Sequence, residues 1–420
     1  MRQFVLAILF VLTFVQSYRS SSALQCKGEQ NQNVDWFLLY KLPRLPKSSN
    51  KLIKQGVAYL YMDSSSYKYG WTLSSKDISK NNSITAYTLS QFYDDKSAAD
   101  SLWILYNDQP PNLPARLTNG HAKGAVITDG KEGFWLIHSV PNFPPRPNTG
   151  EDVSRSKTDK VESGVRVDHT DKDYPSGGYS YPSSGRANGQ SFLCVSTSEE
   201  SFNSIGKQLM YNQIVVYRRN MPKQLIGKFT TLVDAAKQAR VRSPPYYRMA
   251  NFNSKNGMKF TSFAKSSKWD RGESSNTRDS KRVKNYLALF FFADLYDDFV
   301  AVELNADLYT ETWMNGRGKL PSDCNATRVM NVQSISLPKA RVSFKSTHDH
   351  SKWAVSIDGK SARSWVCVGD INRADTQFER GGGTVCLNLP EVWKSYRDSV
   401  DDVEPCPMKR RGGLFERIEP

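Results

Sequence analysis

One ten-residue frame occurs twice in this chain. Residues 121–130 read HAKGAVITDG and residues 350–359 read HSKWAVSIDG, both of the form H-x-K-x5-D-G with Ala and Val at the same offsets. The chain holds five histidines in all, so two of them in one frame point to a duplicated unit rather than to coincidence. An apolar run follows each copy, GFWLI at 133–137 and SWVCV at 364–368. A chain of 420 residues has room for two or three ordinary domains or for one such duplicated unit.

Apolar and β-branched runs at Trp36–Leu42, Val57–Met62, Ala125–Thr128, Phe134–Val140, Gln213–Tyr217 and Ala354–Ile357 read as strands. Helical patterns are fewer: Thr88–Tyr93 continuing to Leu105, and Leu232–Arg240. The fold class is mixed α/β (α+β). Residues 150–178 are rich in Ser, Gly, Asp and Lys and read as a mobile insertion loop, with His169 as a surface residue; residues 409–420 read as a basic tail.

The N-terminus has a charged start, an apolar run from Phe4 to Val15 and small residues ending at Ala23. This is the pattern of a signal peptide, residues 1–23, too short to span a bilayer. Arg2 and Arg19 leave with it, lowering the formal net charge by two, from +15 to +13. The six cysteines, Cys26, Cys194, Cys324, Cys367, Cys386 and Cys406, are an even set in a secreted chain and favour disulfides, with the connectivity open. None forms a C-x-x-C pair, which disfavours zinc. Asn81 and Asn325 begin glycosylation sequons. Mean hydropathy is negative, so no membrane partner is expected.

Charge is concentrated. Residues 217–284 carry seventeen Lys/Arg and four acids, which equals the whole mature excess, interleaved with aromatics. Basic and aromatic residues together suit a polyanion with stackable bases. A solvated basic face with inward aromatics is the plainer reading; the segment's place between the two motifs predicts instead that it lines the polyanion-binding clamp and supplies salt-sensitive, sequence-independent affinity.

The repeated frame carries chemistry. On an extended strand, residues two apart share a face, so each motif presents an imidazole beside an ammonium. Two motifs across a pseudo-twofold would set His121, Lys123, His350 and Lys352 around one pocket. That set suits a phosphodiester. The lysines hold non-bridging oxygens, a neutral His attacks phosphorus, and a protonated His donates to the leaving oxygen. No metal and no cofactor is called for. His348, Asp349 and His350 have ligand-like spacing, but no partner cluster accompanies them. Asp129 and Asp358 either orient the site or begin a turn, and His138 is either a site residue or structural. The absence of G-x-S-x-G and of a phosphate loop disfavours a serine hydrolase and a P-loop enzyme.

These residues resemble the deoxyribonuclease II family, acid endonucleases of the phospholipase D superfamily. The resemblance runs through residues 34–37, 40–43, 106–111, 120–124, 133–141, 179–182, 189–194, 349–353, 369–373 and 380–383. It implies two pseudo-symmetric phospholipase-D-like halves forming a clamp, here 24–212 and 213–408. It implies metal-independent cleavage of double-stranded DNA at acidic pH, leaving 3′-phosphate and 5′-hydroxyl ends. His350 matches the family's essential histidine with Lys352 beside it, and His121 and Lys123 match the first motif. Gly369-Asp370-Ile371-Asn372 is similar to the superfamily's G-S-x-N phosphate-contacting motif, which brings in Asn372 and Asp370. The first half's counterpart, His138-Ser139-Val140-Pro141, lacks the Asn, leaving Ser139 and His138 as weaker matches.

The resemblance also implies disulfides Cys26–Cys194, Cys324–Cys406 and Cys367–Cys386. It implies a lysosomal or secreted protein acting on double-stranded DNA as a monomer or homodimer. Two departures stand out: the 150–178 insertion is longer, and the middle segment more basic, than the family pattern. The rival functions are a phospholipase-D-like phosphodiesterase on another substrate and a secreted DNA-binding or toxin protein derived from the nuclease.

Overall fold

The computed structural model describes residues 23–153, 177–270, 293–325, 327–359, 363–407, 409–411 and 414–416. Residues 1–22 of the expected signal peptide, 154–176 of the insertion with His169, 271–284 of the basic segment and half of the tail, 412–413 and 417–420, lie outside the described residues.

Two large sheets carry the chain. The first contains β1 (Trp36–Lys41), β2 (Tyr59–Asp63), β3 (Thr72–Leu73), β4 (Leu102–Asn107), β5 (Lys123–Thr128), β6 (Glu132–His138), β7 (Glu151–Asp152), β8 (Gln190–Ser198) and β9 (Val216–Asn220). The second contains β10 (Tyr247–Asn253), β11 (Lys259–Lys265), β12 (Leu308–Glu311), β13 (Asp323–Cys324), β14 (Arg328–Leu337), β15 (Val342–Lys345), β16 (Trp353–Ser356), β17 (Trp365–Gly369), β18 (Gly382–Asn388) and β19 (Val400–Val403). The first is ordered β3-β2-β1-β8-β6-β5-β4-β9-β7 and the second β10-β11-β18-β17-β16-β12-β14-β13, with β15 and β19 also on β14.

The duplication is visible in this order. The antiparallel run β1-β8-β6-β5-β4 has its counterpart in β11-β18-β17-β16-β12. In each run one H-x-K frame leads into the fourth strand, β5 or β16, and the apolar run after it forms the third, β6 or β17. Each unit then continues from β8 or β18 into a helix, Glu199–Asn212 or Pro390–Arg397.

Both sheets are buried on both faces, which is why their strands read as continuous apolar runs. In β1, Trp36, Leu38 and Tyr40 face one core while Phe37 and Leu39 face another. The first core is shared: it also takes Trp353 and Val355 of β16, Val366 and Val368 of β17, and Val385 and Leu387 of β18. The outer face of the first sheet packs on Ile84, Leu89 and Phe92 of the helix Ile84–Tyr93. The outer face of the second packs on Tyr296, Phe299 and Val300 of a π-helical turn.

The disulfides are Cys26–Cys194, Cys324–Cys406 and Cys367–Cys386, as the resemblance implied. The first ties the N-terminal segment to β8, and the last joins directly opposed residues of β17 and β18.

Three local expectations are corrected. The helix expected to run on to Leu105 stops at Tyr93. Asp94 caps a second short helix, Asp95–Asp100, and Leu102–Asn107 is a strand hydrogen-bonded on both sides. Pairing with two neighbours outweighs helical periodicity for a run so rich in aromatic and aliphatic residues. The helix expected to reach Arg240 ends at Ala236, with Gln238 left-handed just beyond it. Gln213 is the left-handed C-cap of the helix Glu199–Asn212, so the strand expected from Gln213 begins at Val216.

Trp353 is fully buried in the shared core against Tyr396, ring centroids 5.4 Å apart. Trp353→Ala is expected to cost about 3–5 kcal/mol by urea denaturation. The loss should appear as one earlier transition by both fluorescence and circular dichroism, because the two sheets share that core.

Candidate active site

Lys123 opens β5 with His121 two residues before it; Lys352 is the residue just before β16, with His350 two residues before it. The sheet seam brings the two pairs together. The backbone N–H of His121 donates to Gly381 O of the second sheet (2.8 Å), and that of His350 donates to Gly189 O of the first (2.9 Å).

The side chains are supported crosswise as well. His121 Nδ1 lies 2.7 Å from Gln377 Oε1 in the second unit. His350 Nδ1 lies 3.2 Å from Gln190 Oε1 in the first. With an amide oxygen as acceptor, Nδ1 carries the hydrogen and Nε2 is left with the lone pair. Lys352 Nζ lies 3.2 Å and 3.3 Å from the two ring nitrogens of His350 and donates to its carbonyl (2.7 Å). The Trp313 ring meets His350 edge-on at 5.1 Å.

One buried carboxylate organises the cations. Asp108 takes the Lys123 ammonium on one oxygen and Arg380 Nη2 on the other (2.9 Å). Burial alone would raise the Asp108 carboxyl. The charges of Lys123, His121 and Arg380 and the Lys123 hydrogen bond outweigh it and hold the group well below the usual carboxylate range.

Both imidazoles are pushed well below the ordinary histidine value. For His121 the causes are burial, then Lys123, Arg380 and Lys352, against an opposing pull from Asp108. For the half-buried His350 they are burial, then Lys352, Lys123 and His121. The Lys352 ammonium is lowered by burial and by Lys123. Two imidazoles beside two ammoniums can hold a diester, attack its phosphorus and protonate a leaving oxygen.

The weaker matches fall at different distances from this centre. Asp370 accepts from the Gly383 N–H (3.2 Å), and burial raises its carboxyl to about 7 among Lys123, Asp108 and Lys352. Asn372 Oδ1 accepts from the Trp313 N–H (3.4 Å), so it reaches His350 through that ring. The Ser139 hydroxyl donates to Gln190 Oε1 (2.6 Å) and acts through the glutamine. His138 is packed with Phe143 and Phe192, its Nδ1 accepting from the Val140 N–H (3.2 Å). Asp129 accepts from the N–H groups of Lys131 and Glu132, so it makes the turn at the far end of β5. Asp358 is exposed at the far end of β16.

Sequence reasoning did not mark Asp108, Gln190, Trp313, Gln377 or Arg380 as site residues. Asp108, Gln190 and Arg380 lie inside stretches that carry the resemblance, which is the one signal that pointed to them. Among the described residues no group of three or more His, Cys, Asp or Glu is placed to hold a metal ion, and no helix is long and apolar enough to cross a membrane. Asn81 and Asn325 are exposed.

The basic segment does not form one face. Its strand β9 belongs to the first sheet, while β10 and β11 belong to the second. Many of its cations are already engaged. Arg218 pairs with Asp152 (3.6 Å), Arg219 with Glu151 (3.3 Å), Lys228 with Glu199 and Lys255 with Glu132. The buried Lys265 donates to the carbonyls of Gln377, Phe378 and Arg380. That lysine underpins the loop bearing Gln377.

The two H-x-K motifs meet at the seam between two sheets of matching strand order, and comparison with known proteins supplies the class. The family model for deoxyribonuclease II matches residues 25–406. The chain is 37% identical over 407 residues to plancitoxin-1 of Acanthaster planci, covering 96% of this chain and 98% of that protein. It is 34% identical over 391 residues to deoxyribonuclease-2-alpha of Rattus norvegicus, covering 92% and 95%. It is 31% identical over 418 residues to cell-death-related nuclease 7 of Caenorhabditis elegans, covering 98% and 96%. The chain belongs to the deoxyribonuclease II family.

Asp108→Asn leaves two buried cations without a carboxylate and is expected to cost about 3–5 kcal/mol near neutral pH. The folded carboxyl is depressed, so its stabilisation is full above the unfolded value of 3.8 and is lost as pH falls through the folded one. The gap between the urea midpoints of variant and wild type should therefore be constant above about pH 4 and narrow progressively only as pH falls further below it.

Proposed function

We propose that this protein is an acid deoxyribonuclease that hydrolyses double-stranded DNA without a metal ion, leaving 3′-phosphate and 5′-hydroxyl ends. The observation that carries this reading is the meeting of both H-x-K motifs at one seam, each imidazole held by a glutamine of the other unit. Family membership supports DNA as the substrate over other diesters. We read residues 24–212 and 213–408 as two phospholipase-D-like halves whose seam is the clamp. One chain then supplies a complete site, whether it acts as a monomer or a homodimer. Three disulfides fit an oxidising compartment, so a lysosomal or secreted location follows, with residues 1–23 as the signal peptide.

In the proposed reaction, Nε2 of neutral His121 attacks phosphorus, forming an N–P bond as the bond from phosphorus to the 5′ oxygen breaks. Protonated His350 gives its proton to that oxygen. Lys123 and Lys352 stabilise charge on the non-bridging oxygens. His350, now neutral, takes a proton from water, which attacks phosphorus and releases the 3′-phosphate and His121. Both imidazoles bind protons only at low pH, so the form with one protonated is populated in acid. The similarity to plancitoxin-1 favours a second reading, in which the same cleavage serves a secreted toxin.

Plasmid nicking at acidic pH in EDTA tests the core of this reading. Wild type should cleave, and His350→Ala should lose about 10²–10⁴-fold in rate. Loss of cleavage on adding EDTA refutes the metal-free site. Equal inactivity of both proteins favours a binder over an enzyme. Rapid quench with phosphorus-labelled DNA should place label on one histidine; label on neither sinks the covalent step.

The neutral partner of His121 offers a test of roles. Gln377→Glu puts a carboxylate on Nδ1 and should raise that imidazole's proton affinity by about one pH unit or more. If His121 is the nucleophile, the acidic limb of the pH–rate profile moves up. Movement of the alkaline limb instead assigns it as the acid.

A further inference from the structure

Of the twelve described Lys and Arg of residues 217–284, four pair with carboxylates and Lys265 is turned inward, and a different surface also carries unpaired positive charge. A cleft of about 740 Å³ opens between the loop after β1 and the turn before β15. Lys47 lines one wall, Lys339 and Arg341 the other, with Ser48, Ser49 and Asn50 between, and no carboxylate lines it. Arg44, Lys51 and Lys345 stand on the flanking stretches, and all six cations are exposed. Among the described residues none of the six forms an ion pair.

Both walls lead to His350. On one side the Arg44 N–H donates to Ala187 O (3.0 Å), two residues before Gly189, whose backbone is bonded to His348 and His350. On the other, β15 runs into the turn Ser346–His348 and so to His350. Nine residues separate Arg341 from His350, a reach of at most about 30 Å. That is about nine nucleotide steps along one strand of a duplex, less than one helical turn. The tract ends in a neighbouring cavity of about 480 Å³, which shares Lys339 but is also lined by Glu391 and Asp398.

We propose that this cleft holds the phosphate backbone of the DNA duplex flanking the cleaved phosphodiester, and that the ion-paired Arg219, Lys228 and Lys255 do not. The proposal rests on the nuclease reading above. The cleft's chemistry is that of a polyanion track: several mobile ammonium and guanidinium groups, small polar side chains able to reach phosphate oxygens, and no opposing acid. Its continuity with the strands that hold His350 favours the substrate itself over an acidic protein. Such contacts position the duplex without reading its sequence.

The test compares two triple variants of the full-length protein, Lys47→Ala/Lys339→Ala/Arg341→Ala and Arg219→Ala/Lys228→Ala/Lys255→Ala. Binding to a 30-base-pair duplex is measured across a salt series, alongside plasmid cleavage by wild type. Each phosphate contact contributes about 0.9 to the slope of log affinity on log salt. The cleft variant should flatten that slope by about 2–3 and weaken binding about tenfold or more at low salt. The segment variant should keep the wild-type slope. The six side chains are solvent-accessible, so unchanged melting temperatures check that both variants fold. An unaltered slope in the cleft variant, or a flattened slope in the segment variant alone, overturns the proposal. Wild type that fails to cleave plasmid refutes the nuclease reading instead. Tight binding of an acidic peptide at the cleft, with DNA affinity unchanged by the cleft substitutions, reassigns the surface to a protein partner.

Discussion

The costliest element of this molecule is the burial of two imidazoles and several cations along one seam. A buried charge is tolerated only when paired and hydrogen-bonded. Asp108 meets that demand for Lys123 and Arg380 together. Because Lys123 comes from the first sheet and Arg380 from the loop before β18, the pairing also joins the two units. The same seam carries the backbone bonds from Gly381 to His121 and from Gly189 to His350. Neither motif is held by its own half alone.

Neutral partners matter as much as charged ones. Gln190 and Gln377 fix the orientation of the two rings without adding negative charge beside them. A carboxylate in either place would favour the imidazolium, whereas the amides leave burial and the lysines to dominate. The result is a pair of histidines that release their protons readily, together with a carboxylate at Asp108 that stays ionised in acid. A site built this way keeps the Asp108 pairing as pH falls, while its imidazoles give up their protons more readily than free histidines do.

Much of this was legible in advance. The duplicated frame, the mixed class and the four motif side chains needed only local pattern, whereas the disulfide set came from the family resemblance. Strand runs such as Trp36–Lys41 and Lys123–Thr128 were readable because burial on both faces makes them apolar throughout. Leu102–Asn107 was misread as helix because its periodicity is ambiguous, and only pairing with β5 and β9 decides it. Gln190 and Gln377 carry no motif of their own, since their role depends on facing a histidine 160 or 256 residues away.

The sequence by itself marked the candidate groups, because the H-x-K spacing sets His near Lys twice, although in the fold both histidines and Lys352 stand just before the strands rather than in them. It also determined the total charge, but not where that charge acts. Net charge adds along the chain, whereas the field at a surface depends on which cations find carboxylates in space. Folding pairs Arg219, Lys228 and Lys255 with distant acids and, among the described residues, leaves Lys47, Lys339 and Arg341 without them. Only the tertiary structure joins the two motifs into one pocket, because strands so far apart in the chain meet only across a core that both sheets share.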